Sequence, residues 1–358
     1  MAPSLLPSPL LEGLDAGLLG RLLAPYGAFL ARRAAAAGPG SPARLAAALR
    51  PDDPELPVAL RHVLGALVKL ATPEGEAELR ALATEAGVTL ASRPGRAADA
   101  AAEAYLERRP LFRAAYARLA SLSMGRFVDY SAVPGRAPRP LSLAGRAALR
   151  RGAADLDREG AVGAPVATVA DLTEELVVVV DRPAAAGAPW HRGRPLVAVF
   201  AKAERTLSVN TPDPEEQERL RALFGRVLYR DEGAFAPRPR FSGAPFVERG
   251  AASLQASGVE GLAAVRLRTL AVQTFEASHL ALRAEADDLA DAIGPRGRLR
   301  ELLHLGEVVH WSFEFFPVGR PPFVVEIDPP NQWRLPDRRD AALVRRFLAR
   351  QGFLVAAA

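Results

Sequence analysis

Cysteine is absent from the 358 residues, and lysine nearly so, with only Lys69 and Lys202 present. The first absence excludes disulfides, thiolate zinc sites, cysteine-held iron–sulfur clusters and a cysteine nucleophile together. No apolar run approaches the roughly 18 residues of a membrane-crossing helix, so none is expected. The opening Met1-Ala2-Pro3-Ser4-Leu5-Leu6-Pro7 has no basic flank, and the first basic side chain is Arg21. A secretory signal is therefore not expected, and the cytoplasm is the expected compartment. Also missing are a Walker-type Gly-Lys-Ser/Thr, a Gly-x-Ser-x-Gly elbow and a His-Glu-x-x-His pair. Among the five histidines, His62, His191, His279, His304 and His310, no spacing forms a zinc clamp.

What is present is arginine. It accounts for 44 of the 46 basic side chains, and alanine, glycine and proline are also abundant. That combination is expected of a GC-rich bacterial genome; the functional alternative is selection for the bidentate grip of guanidinium on phosphate. The charge is unevenly placed. Residues 91–151 carry 12 basic and 4 acidic side chains, whereas basic and acidic residues nearly balance on either side.

The hydrophobic pattern predicts an α+β protein, an all-helical N-terminal region followed by a mostly antiparallel sheet with packed helices. Its length suggests two domains. Helices are expected over 10–33, with a possible break at Pro25, over 56–70, and from Thr72-Pro73-Glu74 to Gly87. A further helix over 98–120 is split or kinked at Pro110. The proline- and arginine-rich stretch from Val133 to Pro140 breaks regular structure and opens a connection over 133–160 between a helical domain (1–132) and an α+β domain (161–358).

Beyond residue 160 the period changes from 3.6 to 2. Strands are expected over 176–180, 195–201, 206–210 and 265–275, then a hairpin of 309–315 with 323–327. Helices are expected after Asp213-Pro214, over 286–293 and 299–305, and after Asp337. Twice a strand passes through a proline-containing turn into an amphipathic helix. This is either a weak internal duplication or a common way of making that passage.

Three constellations, and one further pair of residues, invite a chemical reading. On the last hairpin, His310, Ser312 and Glu314 share one face, and Glu326 and Asp328 on the partner strand could join it. His310, Glu314, Glu326 and Asp328 are thus candidate metal ligands for a metal-assisted hydrolase; the plain alternative is the wet face of a half-buried sheet. The second is the double Glu-x-x-His of Glu301, His304, Glu307 and His310, whose members diverge around a single helix. Asp181 with Lys202 invites comparison with a nuclease core, but Phe200 stands where that core needs an acid.

The third is the basic segment 91–151. Arg93, Arg96, Arg108, Arg109, Arg113, Arg118, Arg126, Arg136 and Arg139 are candidate contacts to nucleic acid or an acidic protein. Arg146, Arg150 and Arg151 extend the series. Aromatics interleave with them, as phosphate contact with base stacking would require. Phe112 and Tyr116 stand four apart, however, which is core spacing, and Arg109 and Arg113 form a parallel stripe of their own. The leading expectation is a non-catalytic binding or regulatory component, with a structural subunit of a larger assembly as a third reading. The sequence leaves the cofactor unknown.

Overall fold

The computed structural model describes residues 14–29, 57–122, 125–156, 165–181, 195–237, 240–274, 281–293, 301 and 303–355. Helices lead in the N-terminal part and a large antiparallel sheet with packed helices follows, so the protein is α+β. By internal contacts the chain divides into two compact units, Met1–Ser121 with Pro140–Val199, and Leu122–Arg139 with Phe200–Ala358.

In the first unit, α1 (Ala16–Leu23), α2 (Val58–Leu70), α3 (Pro73–Glu85), α4 (Ala97–Glu107) and α5 (Arg109–Leu122) follow one another. Local chemistry explains their ends. The Asp15 side chain accepts the amides of Gly17 and Leu18 at the start of α1, after which Pro25 sits in a 3-10 turn. Thr72 caps α3 by accepting the Gly75 amide, Pro73 occupies its first turn, and Gly87 beyond its end has φ +64°. Pro110 lies in the first turn of α5, where its missing N–H costs no hydrogen bond, so the break falls before it at Arg108.

A sixth helix, α6 (Leu143–Asp155), lies within the proline- and arginine-rich stretch 133–160, where the sequence suggests no regular structure. Ser142 starts it by accepting the Gly145 amide. The signal was weak because alanine, glycine and arginine fill the helix, leaving only Leu149 and Ala153 buried. Strands β2 (Val166–Asp171), β3 (Glu175–Asp181) and β4 (Leu196–Ala201) are neighbours in that order, β2 and β3 pairing antiparallel from Val166↔Asp181 to Asp171↔Leu176. Val177, Val179, Val197 and Val199 join Leu60, Leu64, Leu67, Phe112 and Tyr116 in one buried cluster. Odd-numbered side chains of β3 therefore face the helices.

The second unit is built on strands in the order β5 (Thr206–Val209), β1 (Gly125–Ala132), β11 (Gln332–Leu335), β10 (Phe323–Asp328), β9 (Gly306–Pro317), β7 (Leu262–Thr274) and β8 (Ala281–Glu285). The short β6 (Phe235–Ala236) also pairs with β1. On β9 the alternation sends Trp311, Phe313 and Phe315 inward, against Phe347 of α10 (Ala341–Arg350) and Phe353. Phe315 stacks on Phe323 directly across the strand pair, ring centres 5.5 Å apart. The remaining helices are α7 (Pro214–Tyr229), α8 (Ala244–Arg249) and α9 (Leu289–Ile293).

Several expected boundaries move. Asp337 caps a 3-10 turn, Arg338–Asp340, by accepting the Arg339 amide, and α10 begins only after it. The helix expected from Ala286 starts at Leu289, because the Ala286 amide is still bonded to the Arg268 carbonyl at the end of the β7–β8 pairing. Of the helix expected over 299–305, only 301 and 303–304 are described as helical. Strands β1, β2, β6, β8 and β11 lie outside the strands that the sequence pattern predicts. In β1 four consecutive side chains, Phe127 to Tyr130, are buried, so the alternation that would mark a strand is absent.

Candidate functional site: an arginine-lined cavity in the first unit

A cavity of about 750 Å³ opens in the first unit, bounded by α2, α5, α6 and the first residues of β2. That volume lies within the range of small-ligand sites. Its cationic wall comes from two helices. On α5, Arg109 and Arg113 stand one turn apart beside the buried Phe112 and Tyr116. On α6, Leu143, Arg146, Ala147, Arg150 and Ala154 recur at intervals of three and four and present one stripe to the cavity, with Arg151 beside them.

Among the described residues, no acidic side chain lines the cavity. Arg146 lies 3.6 Å from Asp171. Arg109 stacks on the Tyr105 ring, 5.0 Å from its centre. Among the described residues, no carboxylate lies within ion-pairing distance of Arg109, Arg113, Arg150 or Arg151. Four exposed arginines thus line one concavity with no ion-pair partner among the described residues, an arrangement that attracts anions.

Below this wall lies a polar cluster inside the helix–strand core. Asp181 ends β3, and its odd number turns it toward the helices, where it is 6% exposed. The Tyr116 hydroxyl donates to its Oδ1. Lys69 Nζ lies 3.5 Å from the same oxygen and 3.1 Å from the Tyr116 hydroxyl, while His62 Nδ1 is 3.5 Å from Oδ2. His62 and Lys69 can both reach Asp181 because seven residues of α2 make almost two full turns. His62 also lines the cavity; its Nδ1 is wholly buried, so the exposed part of the ring lies elsewhere.

The electrostatics follow from burial. Desolvation pushes the His62 pKa down, and Lys69 and Arg113 add to that, while Asp181 works in the opposite direction. Tyr116 is pushed well above the ordinary tyrosine value by desolvation, then by the Asp181 charge and the hydrogen bond to it. At neutral pH the cluster therefore holds a neutral imidazole and a protonated phenol.

The sequence-selected arginines separate. Arg93, Arg96, Arg108, Arg109, Arg113 and Arg118 belong to the first unit, and Arg126, Arg136 and Arg139 to the second. Of the first group, only Arg109 and Arg113 line the cavity. Arg96 pairs with Asp99 at 2.7 Å and Arg118 with Glu85 at 3.2 Å, leaving those two guanidinium groups largely neutralised. Arg93 and Arg108 are exposed away from the cavity lining. In the second unit Arg126 pairs with Asp328 at 2.9 Å, Arg136 pairs with Asp231, and the Arg139 amide donates to the Leu228 carbonyl.

On the hairpin, the register sets Glu326 opposite Ser312 and Val324 opposite Glu314, so His310, Glu314, Glu326 and Asp328 do share one sheet face. His310 Nδ1 lies 2.6 Å from Asp328 Oδ1. The carboxylates are nevertheless taken up by arginines: Glu314 by Arg268 at 3.3 Å, Glu326 by Arg334 at 3.4 Å, and Asp328 by Arg126. Among the described residues, no three histidine or acidic side chains gather where they could hold a metal ion.

Asp181 likewise finds Lys69 rather than Lys202. No local pattern marks His62 and Lys69 as a site: each stands among apolar residues of one helix, and only their seven-residue spacing puts them on one face. No protein-family model matches this chain, and no curated protein matches its sequence. Among the described residues, no helix is long and apolar enough to cross a membrane.

Proposed function

We propose that this chain is a cytoplasmic binding component that contacts nucleic acid through the arginine-lined cavity of its first unit. The observation that carries the reading is that Arg109, Arg113, Arg150 and Arg151 line one concavity with no acid among its described lining residues. A solvated helix face would scatter such charges or pair them with neighbouring acids, as Arg96 and Arg118 are paired. The apolar part of the lining, which includes Val63, Phe112 and Val169, suits a ligand with an uncharged body beside its phosphates. A concave site also favours a flexible single strand over the flatter surface of a folded acidic protein.

Fluorescence anisotropy with a labelled single-stranded oligonucleotide tests this. Affinity should fall with salt at about 0.7 log unit per log unit of salt for each phosphate contacted. The double substitution Arg113→Glu with Arg150→Glu should abolish binding while leaving thermal unfolding unchanged. No binding at low salt would sink the reading. Displacement by polyglutamate but not by unlabelled oligonucleotide would turn it toward an acidic protein partner.

A further inference from the structure

We infer that the cavity is a subsite for a terminal phosphate, a phosphomonoester group, held by Arg113 and Arg150 with His62 as a proton-carrying contact. The inference builds on the anion-binding reading above but makes a narrower claim. Buried Val63, Tyr116, Ala167 and Thr168 are among the residues that line the cavity, so a compact group seated against them is withdrawn from bulk water. A monoester carries up to two negative charges on one phosphorus, which matches guanidinium groups arriving from two separate helices.

His62 has the position for a third contact. It lines the cavity together with the arginines, and its Nδ1 lies 3.5 Å from Asp181 Oδ2 in the buried cluster. Among the described residues, the charged and titratable groups around it include Lys69 on its own helix, Arg113 and Tyr116 on α5, and Asp181 on β3. Arg146 and Arg150 of α6 share the cavity lining with it. In the free protein, burial and the neighbouring cations keep the imidazole neutral. A phosphate dianion among the arginines cancels their repulsion, and Asp181 then stabilises the imidazolium from behind. Binding of the phosphate should therefore draw a proton from solution onto His62.

The same group could arrive on the end of a nucleic acid strand or on a small metabolite, and the probes separate these sources. Titration calorimetry would use the full chain at pH 6.5 with inorganic phosphate, a mononucleotide 5′-phosphate, and one oligonucleotide with either a 5′-phosphate or a 5′-hydroxyl. Repeating it in buffers of different ionisation heat counts the protons taken up. The 5′-phosphorylated oligonucleotide should bind at least about tenfold more tightly than its hydroxyl form. Proton uptake should approach one per site and vanish in His62→Gln, which keeps the arginines.

Equal affinity for the two oligonucleotides without proton uptake would overturn the phosphate subsite while leaving nucleic acid binding intact. Binding of inorganic phosphate and the mononucleotide alone, with proton uptake, would support the subsite and overturn nucleic acid as the ligand. Unchanged proton uptake in His62→Gln would remove His62 from the site. No binding of any of these probes would overturn the subsite altogether.

Discussion

Tyr116 donates its hydroxyl hydrogen to the carboxylate of Asp181, joining the middle of α5 to the last residue of β3 inside the core of the first unit. Both side chains are almost wholly buried, so neither has water as a substitute partner. Removing the hydroxyl takes a donor from a buried charge, leaving Lys69 and His62 as its remaining neighbours. Tyr116→Phe is expected to cost about 1–3 kcal/mol. Urea unfolding should show a lower midpoint with little change in slope. An unaltered midpoint would mean that the pair contributes nothing in solution.

Acid should destabilise the first unit through His62. Its pKa is lowered on folding, so below the ordinary value near 6.5 the unfolded chain binds a proton that the folded chain refuses. This term is absent above that value. It grows as the pH falls toward the folded pKa and is constant below it. His62→Gln should flatten the pH dependence of the unfolding free energy in that window. Parallel wild-type and variant curves between pH 7 and 5 would contradict the expectation.

The hairpin face of the second unit should behave as a set of arginine–carboxylate pairs. Glu326 and Arg334 are each a third or more exposed, so solvent screening keeps their pair weak. Glu326→Gln is expected to change stability by less than about 1 kcal/mol. Millimolar Mg²⁺, Mn²⁺ or Zn²⁺ should leave the melting temperature unmoved. A rise with metal that Asp328→Asn and Glu314→Gln abolish would instead establish a cation site there.

Two helical glycines should respond to alanine with opposite signs. At Gly225 in α7, an added Cβ would come within 2.4 Å of the Asp231 carbonyl oxygen, where the chain folds back past the helix end. Gly225→Ala should therefore destabilise by about 1–3 kcal/mol through overpacking. At Gly20 in α1 a Cβ meets nothing within 4 Å, so Gly20→Ala should stabilise by about 0.5–1 kcal/mol. Thermal unfolding of the two variants, measured side by side, checks both signs.

Much of the secondary structure was legible because its signals are local. The Thr72-Pro73-Glu74 start of α3, the Asp213-Pro214 start of α7 and the alternation around Trp311 each depend on residues within a few positions of one another. The candidate hairpin face was also correctly grouped, since alternation places His310 and Glu314 on one side whatever else the chain does. Its arginine partners were not legible. Arg126, Arg268 and Arg334 reach it from three other strands, and no spacing rule links them to it.

By itself the sequence determined an α+β chain with local start and stop signals, a cysteine-free chemistry and a basic excess confined to 91–151. Those follow from composition and from interactions spanning one helical turn or one strand pleat. Only the tertiary structure decided which arginines stand together. It neutralised Arg96 and Arg118 with nearby acids, and brought Arg109 and Arg113 to Arg150 and Arg151, some forty residues away, around one cavity. The reason is physical: unpaired charge is a property of what surrounds a side chain in space, and those surroundings come from segments far apart in the chain.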